Sequence, residues 1–512
     1  MLIPSTTPRL FPLRRALCCA LCLALAALLA ARPARAIDLT AGTEVELNAA
    51  IAAANAAGVG THTITLTADI TLTAATTPFD NPAAAALILD GDGHTIDGDA
   101  HGPIVTIDAG TTARVRDVAL TEGWAEFGGA IYNGGVLTVE NSDLSGNVAE
   151  LSGGGIKSDG DVTILDSTVN GNTADSGGAV ALTTEAITAT LIIRHSTLFN
   201  NTATANGGGL YVHSSQGGTA EVTINGLVVQ GNSSVNGTGG IDLIAAPGSG
   251  LEADLRALQL IGNVGYHGGL ALIAEGTAEA NVIASGVVDN FSSAPGGNSQ
   301  PAGGGIYVRA NTDGTATLTI FNSTLSGNST ERAGGGLLVA ANGGAAGTNV
   351  VYSTLAENTA AAGGGGIHTT TANGGVASVR LAATIISNGP GAGPDCARPS
   401  GAIISTGFNL DSDNSCFLNQ ASDLPATPAG LRSLEHTSTG NTLVHALNFS
   451  SPARDRLPHG ALGCGTAITT DQRGVARPQP AGGRCDIGAY ERQPGETPEF
   501  GSFLPLAVVT SD

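Results

Sequence analysis

Residues 318–328, LTIFNSTLSGN, hold the pattern that decides the fold. Leu318, Ile320, Leu325 and Asn328 stand at successive offsets of two, five and three, and the same offsets return at Leu137, Val139, Leu144, Asn147. They return at Val162, Ile164, Val169, Asn172, at Leu191, Ile193, Leu198, Asn201, and at Val222, Ile224, Val229, Asn232. Copies ending at Asn263, Asn290 and Asn358 keep the pattern with Ala253, Ala280 or Thr348 in the first slot, and a slipped copy ends at Asn388. A Gly pair and an aliphatic follow most of these Asn, as in GGGI to Ile156, GGAV to Val180 and GGGL to Leu210.

Alternation of period two puts Leu318 and Ile320 on one face of a short strand. A unit of about 25–30 residues with three such strands cannot bury its apolar face alone, so copies must stack into a solenoid. Gly frees the corners, and recurrent Asn suits left-handed turns where stacked amides hydrogen-bond. The expected fold is all-β, a right-handed parallel β-helix over residues 85–395. About a dozen coils at roughly 4.8 Å make a rod some 60 Å long. The gap from Ile131 to Leu137, or Ile156 to Val162, is six residues; from Leu210 to Val222, or Ile367 to Val379, it is twelve. The added segments, such as VHSSQGGTAE and TTTANGGVAS, are expected to stack as a ridge of loops, a surface for a glycan or a protein. At residues 37–84, VELNAAIAAANAAG reads as a short capping helix with Leu47, Ile51 and Ala54 on one side, followed by strands in THTITLTADITLTA.

The chain has 512 residues and a net charge of −22. Arg9, Arg14 and Arg15, an apolar stretch from Ala16 to Ala31, and Ala34-Arg35-Ala36 read as a signal peptide over residues 1–36. Removing its five Arg leaves 16 basic residues against 43 acidic ones, a net −27. Such a surface excludes nucleic acid as a partner. No later stretch spans a bilayer, so a secreted or surface-displayed monomer is expected. Cys396, Cys416, Cys464 and Cys485 remain, and an exported chain points to two disulfides. Neighbour pairing closes loops of about 20 residues, worth roughly 3 kcal/mol each; the spacing leaves other pairings open.

ELNAAIAAAN with HTITL is similar to the second half of the CSLREA-type opening of bacterial surface β-helices. GGAIYN at Gly128–Asn133, with SxxSGN and GGGI, resembles the repeats of chlamydial polymorphic outer-membrane proteins. SPARDRL, then DQRGVARPQPAGGRCDIGAYE, resembles the choice-of-anchor Q domain, and STGFNLDSDNSCF looks like part of it. The resemblance implies a pectin-lyase-like right-handed β-helix on an exported protein, a C-terminal module over residues 396–492, and a tail at 493–512. The ending SFLPLAVV is similar to F/Y-L-P-L endings of exported bacterial proteins.

Enzymes of this fold that cleave acidic polysaccharides need a basic residue and often calcium. Between Asp90 and Asp395 stand eight Lys or Arg against 27 Asp or Glu, with no grouping in sequence. A lyase or glycosidase would draw on Lys157, the single lysine, and on Asp159, Asp161 and Asp166, as paired carboxylates. Solvated turns are the better explanation of those acids. Calcium candidates are Asp411 and Asp413 with Asn409, or Asp90, Asp92, Asp97 and Asp99; otherwise no cofactor is expected. Asp471, Arg473, Arg477, Asp486 and Glu491 read as ion pairs holding the C-terminal module. The expectation is a structural, adhesive or glycan-binding protein without catalysis, with a polysaccharide lyase or glycoside hydrolase as the alternative.

Overall fold

The computed structural model describes residues 36–293, 302–389, 391, 393–436 and 442–496; the leader and tail readings lie outside them. The chain winds as a parallel β-helix whose coils contribute to four long sheets of 14, 13, 9 and 11 strands, here S1 to S4 in the order a coil meets them. The repeat slots fall in register. Leu137 pairs with Val162, Leu191, Val222, Ala253, Ala280, Leu318, Thr348 and Val379 in succession along S1. All face inward and are buried. Helix α1 (Glu44–Ala56) starts at Thr43, whose side chain accepts from the Glu46 amide, and buries Leu47, Ala50, Ile51 and Ala54.

Two features differ from the sequence reading. Each coil has four strands, not three: S3 is the extra sheet, built from pieces such as Thr173–Ser176 that shrink to Ser329–Thr330 later. Its strands are too short and too mixed in polarity to show a period. The twelve-residue gaps, secondly, are filled by longer strands rather than loops. Strands of S4 grow from three residues at Ile131–Asn133 and Ile156–Ser158 to six at Val180–Glu185 and Leu210–Ser215. Strands of S1 grow from five at Val136–Glu140 to seven at Thr188–Arg194.

The repeated Asn form one buried ladder from Asn147 to Asn388. Each side-chain oxygen accepts from the backbone N–H and the amide of the preceding Asn; Asn201 N and Nδ2 both reach Asn232 Oδ1 at 2.9 Å. The ladder ends on Asp395, whose Oδ1 accepts from Asn388 N and Nδ2 at 2.8 Å. A carboxylate suits this position because the last member has nothing left to donate to.

Strands continue past Asp395 through Cys396–Ala397, Ala402–Ser405 and Leu410–Asp411. The Cys396–Cys416 disulfide therefore ties the last coil, while Cys464–Cys485 ties the module beyond it. That module turns back along the outer face of S2. Gln472 Oε1 accepts from Thr324 Oγ1 at 2.6 Å, Ser326 Oγ and His445 Nε2 share a hydrogen bond of 2.8 Å, and Ala489 N donates to Thr354 Oγ1 at 3.1 Å. Tyr352, Ile385 and Leu410 of the solenoid share one core with Val444, Leu457 and Ile487 of the module. Among the described residues no helix is long and apolar enough to cross a membrane.

Candidate functional site

The lengthening of S4 makes a step, and a groove of about 410 Å³ lies at it. Its lining is Phe127, Tyr132, Lys157, Asp159, Thr183, Glu185 and Ile187. Tyr132, Lys157 and Ala181 are register partners pointing outward from S4, because their neighbours Ile131, Ile156 and Val180 point into the core. Strand Val180–Glu185 outruns the strand before it, so Thr183, Glu185 and Ile187 stand as a wall over the Asp159 turn. Phe127, at the end of strand Trp124–Phe127, closes the other side. Phe127 and Ile187 are exposed, as is Trp124 three residues earlier.

The polar floor is fully engaged. Lys157 is buried, and its Nζ donates to Ser158 O at 3.1 Å, to Thr183 Oγ1 at 2.7 Å and to Asp159 Oδ1. These acceptors use all three protons of the ammonium. Asp159 also accepts from the Tyr132 hydroxyl at 2.7 Å and the Thr183 hydroxyl at 2.9 Å. Burial pushes the Asp159 carboxyl up, but its bonds to Lys157, Tyr132 and Thr183 outweigh that and hold it below its ordinary range. Burial lowers Lys157 against the pull of Asp159, and burial followed by Asp159 pushes Tyr132 up to about 12. The result is an ionised pair locked into the floor, with the exposed Glu185 carboxylate on the wall beside it.

Of the sequence candidates, Lys157 and Asp159 come together here, while Asp161 and Asp166 go elsewhere. Asp161 lies on S1, where its Oδ1 accepts from Thr190 N at 2.8 Å. Asp166 occupies the S1–S2 corner with φ 47°, beside His195. Three acids close in sequence thus fall in the S4–S1 turn, on S1 and at the S1–S2 corner. Tyr132, Thr183 and Glu185 escaped the sequence reading; the signal that marks them is the change in gap length between successive coils.

Asp395, Asp411 and Asp413 place carboxylate oxygens within 4.8 Å of one another. Their oxygens are occupied by the chain: Asp395 Oδ2 by Ser412 N, Asp411 Oδ2 by Cys416 N, and Asp413 Oδ2 by Asp395 N, each at 2.9 Å. Burial pushes Asp411 up to about 7. The cluster closes the Asn ladder.

Further along the same outward column of S4, Asp242 lies between Tyr211 and Ala271. It is buried with Oδ1 unpartnered, and burial pushes its carboxyl up to about 7. An unfolded Asp titrates near 4. The protonated folded form therefore loses stability as pH rises from about 4 to 7, by at most about 4 kcal/mol. Asp242→Asn is expected to raise the melting temperature at pH 8 and leave it nearly unchanged at pH 4. Equal effects at both pH values would show that Asp242 does not titrate across this window.

No family model, curated protein or solved structure matches this chain. What fold and site define is a class: a disulfide-tied parallel β-helix with a groove walled by Phe127 and Ile187 on one face.

Proposed function

We propose that this is an extracytoplasmic β-helix protein that binds a glycan in the groove over Lys157 and does not cleave it. One observation carries the reading: exposed Phe127 and Ile187 stand over a rigid floor of hydrogen-bonding groups. Apolar walls with a few fixed polar groups are how proteins hold small polar ligands such as sugars. The two disulfides are in keeping with an oxidising compartment. The resemblance of the repeats to chlamydial outer-membrane proteins, and of the last module to choice-of-anchor Q domains, supports display at a cell surface. The net charge of −27 after leader removal argues against nucleic acid.

The test is affinity electrophoresis of the protein against neutral and uronic-acid polysaccharides, with and without calcium, alongside a chain-length assay. Retardation without chain shortening is expected, weakened about ten-fold by Phe127→Ala. Chain shortening that Lys157→Met abolishes would make the protein a polysaccharide-cleaving enzyme. Absence of binding would leave a structural scaffold.

A further inference from the structure

The groove over Lys157 holds one charged group that its floor does not consume. Glu185 ends strand Val180–Glu185 and stands exposed on the wall, two residues before Ile187. Its Oε2 accepts from Gln216 Nε2 at 3.0 Å, and Gln216 sits at φ 54° in the next coil, one position past the register partner of Glu185. That bond orients the carboxylate without bringing it a charge. None of the ion pairs among the described residues involves Glu185. Lys157 feels its charge, yet the three Lys157 protons go to Ser158 O, Thr183 Oγ1 and Asp159, and Asp159 balances the ammonium. His213, in register with Thr183, feels Glu185 too, but burial outweighs that pull and lowers the imidazole, which stays neutral at neutral pH. The acidic character continues onto S3. Glu126 beside Phe127, Glu150 one strand on and Asp175 in the strand after are all exposed.

Apolar walls, fixed hydroxyls and an unpaired carboxylate select a ligand that brings both a hydrogen-bonding ring and a cation. The same carboxylate repels a uronate. We infer that the groove takes an amino sugar with a free amine, a glucosamine-type unit of a glycan, whose ammonium pairs with Glu185 while its ring lies between Phe127 and Ile187. This rests on the glycan-binding reading above and narrows it from sugars in general to a cationic one. A lysine-rich peptide would satisfy the charge alone. A groove of about 410 Å³ with an aromatic wall and the Tyr132 and Thr183 hydroxyls in its lining suits the broad face of a sugar better than a thin alkyl stem.

The experiment titrates the protein with a glucosamine hexamer and with its fully N-acetylated, neutral counterpart of the same linkage, in mildly acidic buffer where the free amines carry protons. The variants are Glu185→Gln, Phe127→Ala and Glu252→Gln, the last an exposed acid on S1 flanked in register by Glu221 and Glu279. Unchanged melting temperatures confirm folding. Wild type is expected to bind the glucosamine hexamer more tightly than the acetylated one. Glu185→Gln should weaken the first about ten-fold and leave the second unchanged, Phe127→Ala should weaken both, and Glu252→Gln neither. Equal losses in Glu185→Gln and Glu252→Gln overturn the inference, since they mean diffuse attraction of a polycation to an acidic protein. So does a lysine hexamer that competes as well as the glucosamine hexamer. Both sugars binding alike, both weakened by Phe127→Ala and neither by Glu185→Gln, sinks this inference and leaves the groove reading standing. If neither hexamer binds, this inference falls, and the electrophoresis against neutral polysaccharides decides the groove reading separately.

Discussion

Asn232→Ala is expected to destabilise the middle of the solenoid by about 3–5 kcal/mol. Asn232 accepts from Asn201 N and Nδ2, and its own Nδ2 donates to Leu198 O and Asn263 Oδ1 at 3.0 Å. Alanine leaves a buried backbone N–H at Asn201 without a partner and takes one donor from the buried Leu198 carbonyl. The orphan costs roughly 1–3 kcal/mol, and the lost donor and the small cavity add to it. Asn232→Asp is expected to do no better. Its oxygens can still accept from Asn201, but one would face Leu198 O and Asn263 Oδ1, acceptor against acceptor. The same carboxylate is tolerated at Asp395 because nothing beyond that rung asks for a donor. Coils contact mainly their neighbours, so the loss is local before it is global. Hydrogen exchange should show the Asn201 amide losing protection ahead of the coils near Asn147 and Asn358. A variant that keeps that amide protected and melts with the wild type would show the ladder to be dispensable.

The ladder is also where the sequence was most legible, and the reason is physical. An inward position in a stacked coil must repeat in kind, so Leu318 and Asn328 announce themselves by recurrence. Outward positions have no such constraint. Tyr132, Lys157 and Ala181 share a column without resembling one another. A groove assembled from three coils therefore leaves only an indirect trace, the change in gap length. The S3 strands were invisible because two to five residues of mixed polarity carry no period. Lys157 stood out as the single lysine, but nothing in sequence shows that Asp159 and Thr183 consume its protons. The direction in which Asp161 and Asp166 point depends on which side of the coil each falls, and strand boundaries decide that.

Arg477→Met is expected to detach the C-terminal module from S2. The Arg477 side chain is fully buried and bridges two bodies. Its Nη1 and Nη2 donate to Asp486 O and Gly488 O at 2.9 Å, and its Nε lies 3.6 Å from Glu491 Oε2. Its guanidinium also stands 4.6 Å over the ring of Tyr352, which belongs to the solenoid. Methionine fills most of the volume but leaves Glu491 and Asp486 facing each other without this counter-charge. Breaking a buried pair from one side costs about 3–5 kcal/mol. Burial already pushes Glu491 up to about 8 and Asp486 up to about 6, and the two share the cost of ionising. Both folded values exceed the unfolded carboxylate range, so module stability is greatest in acid and falls as pH rises through about 4 to 8. Removing the cation steepens that fall. The variant should show a separate early melting transition at pH 8 that merges with the main one near pH 5. Hydrogen exchange should rise in strand Leu443–Leu447 at pH 8 while the Asn ladder stays protected. If the early transition is absent, or is equally deep at both pH values, the Cys464–Cys485 disulfide and the shared apolar core hold the module without the ion pair. Arg473 offers the control within the same module: it pairs with Asp471 at 2.7 Å and stacks on Tyr490 at 3.6 Å, both residues of the module. Arg473→Met should therefore loosen the module internally, raising exchange around Tyr490 more than at the S2 contact through Thr324 and Gln472.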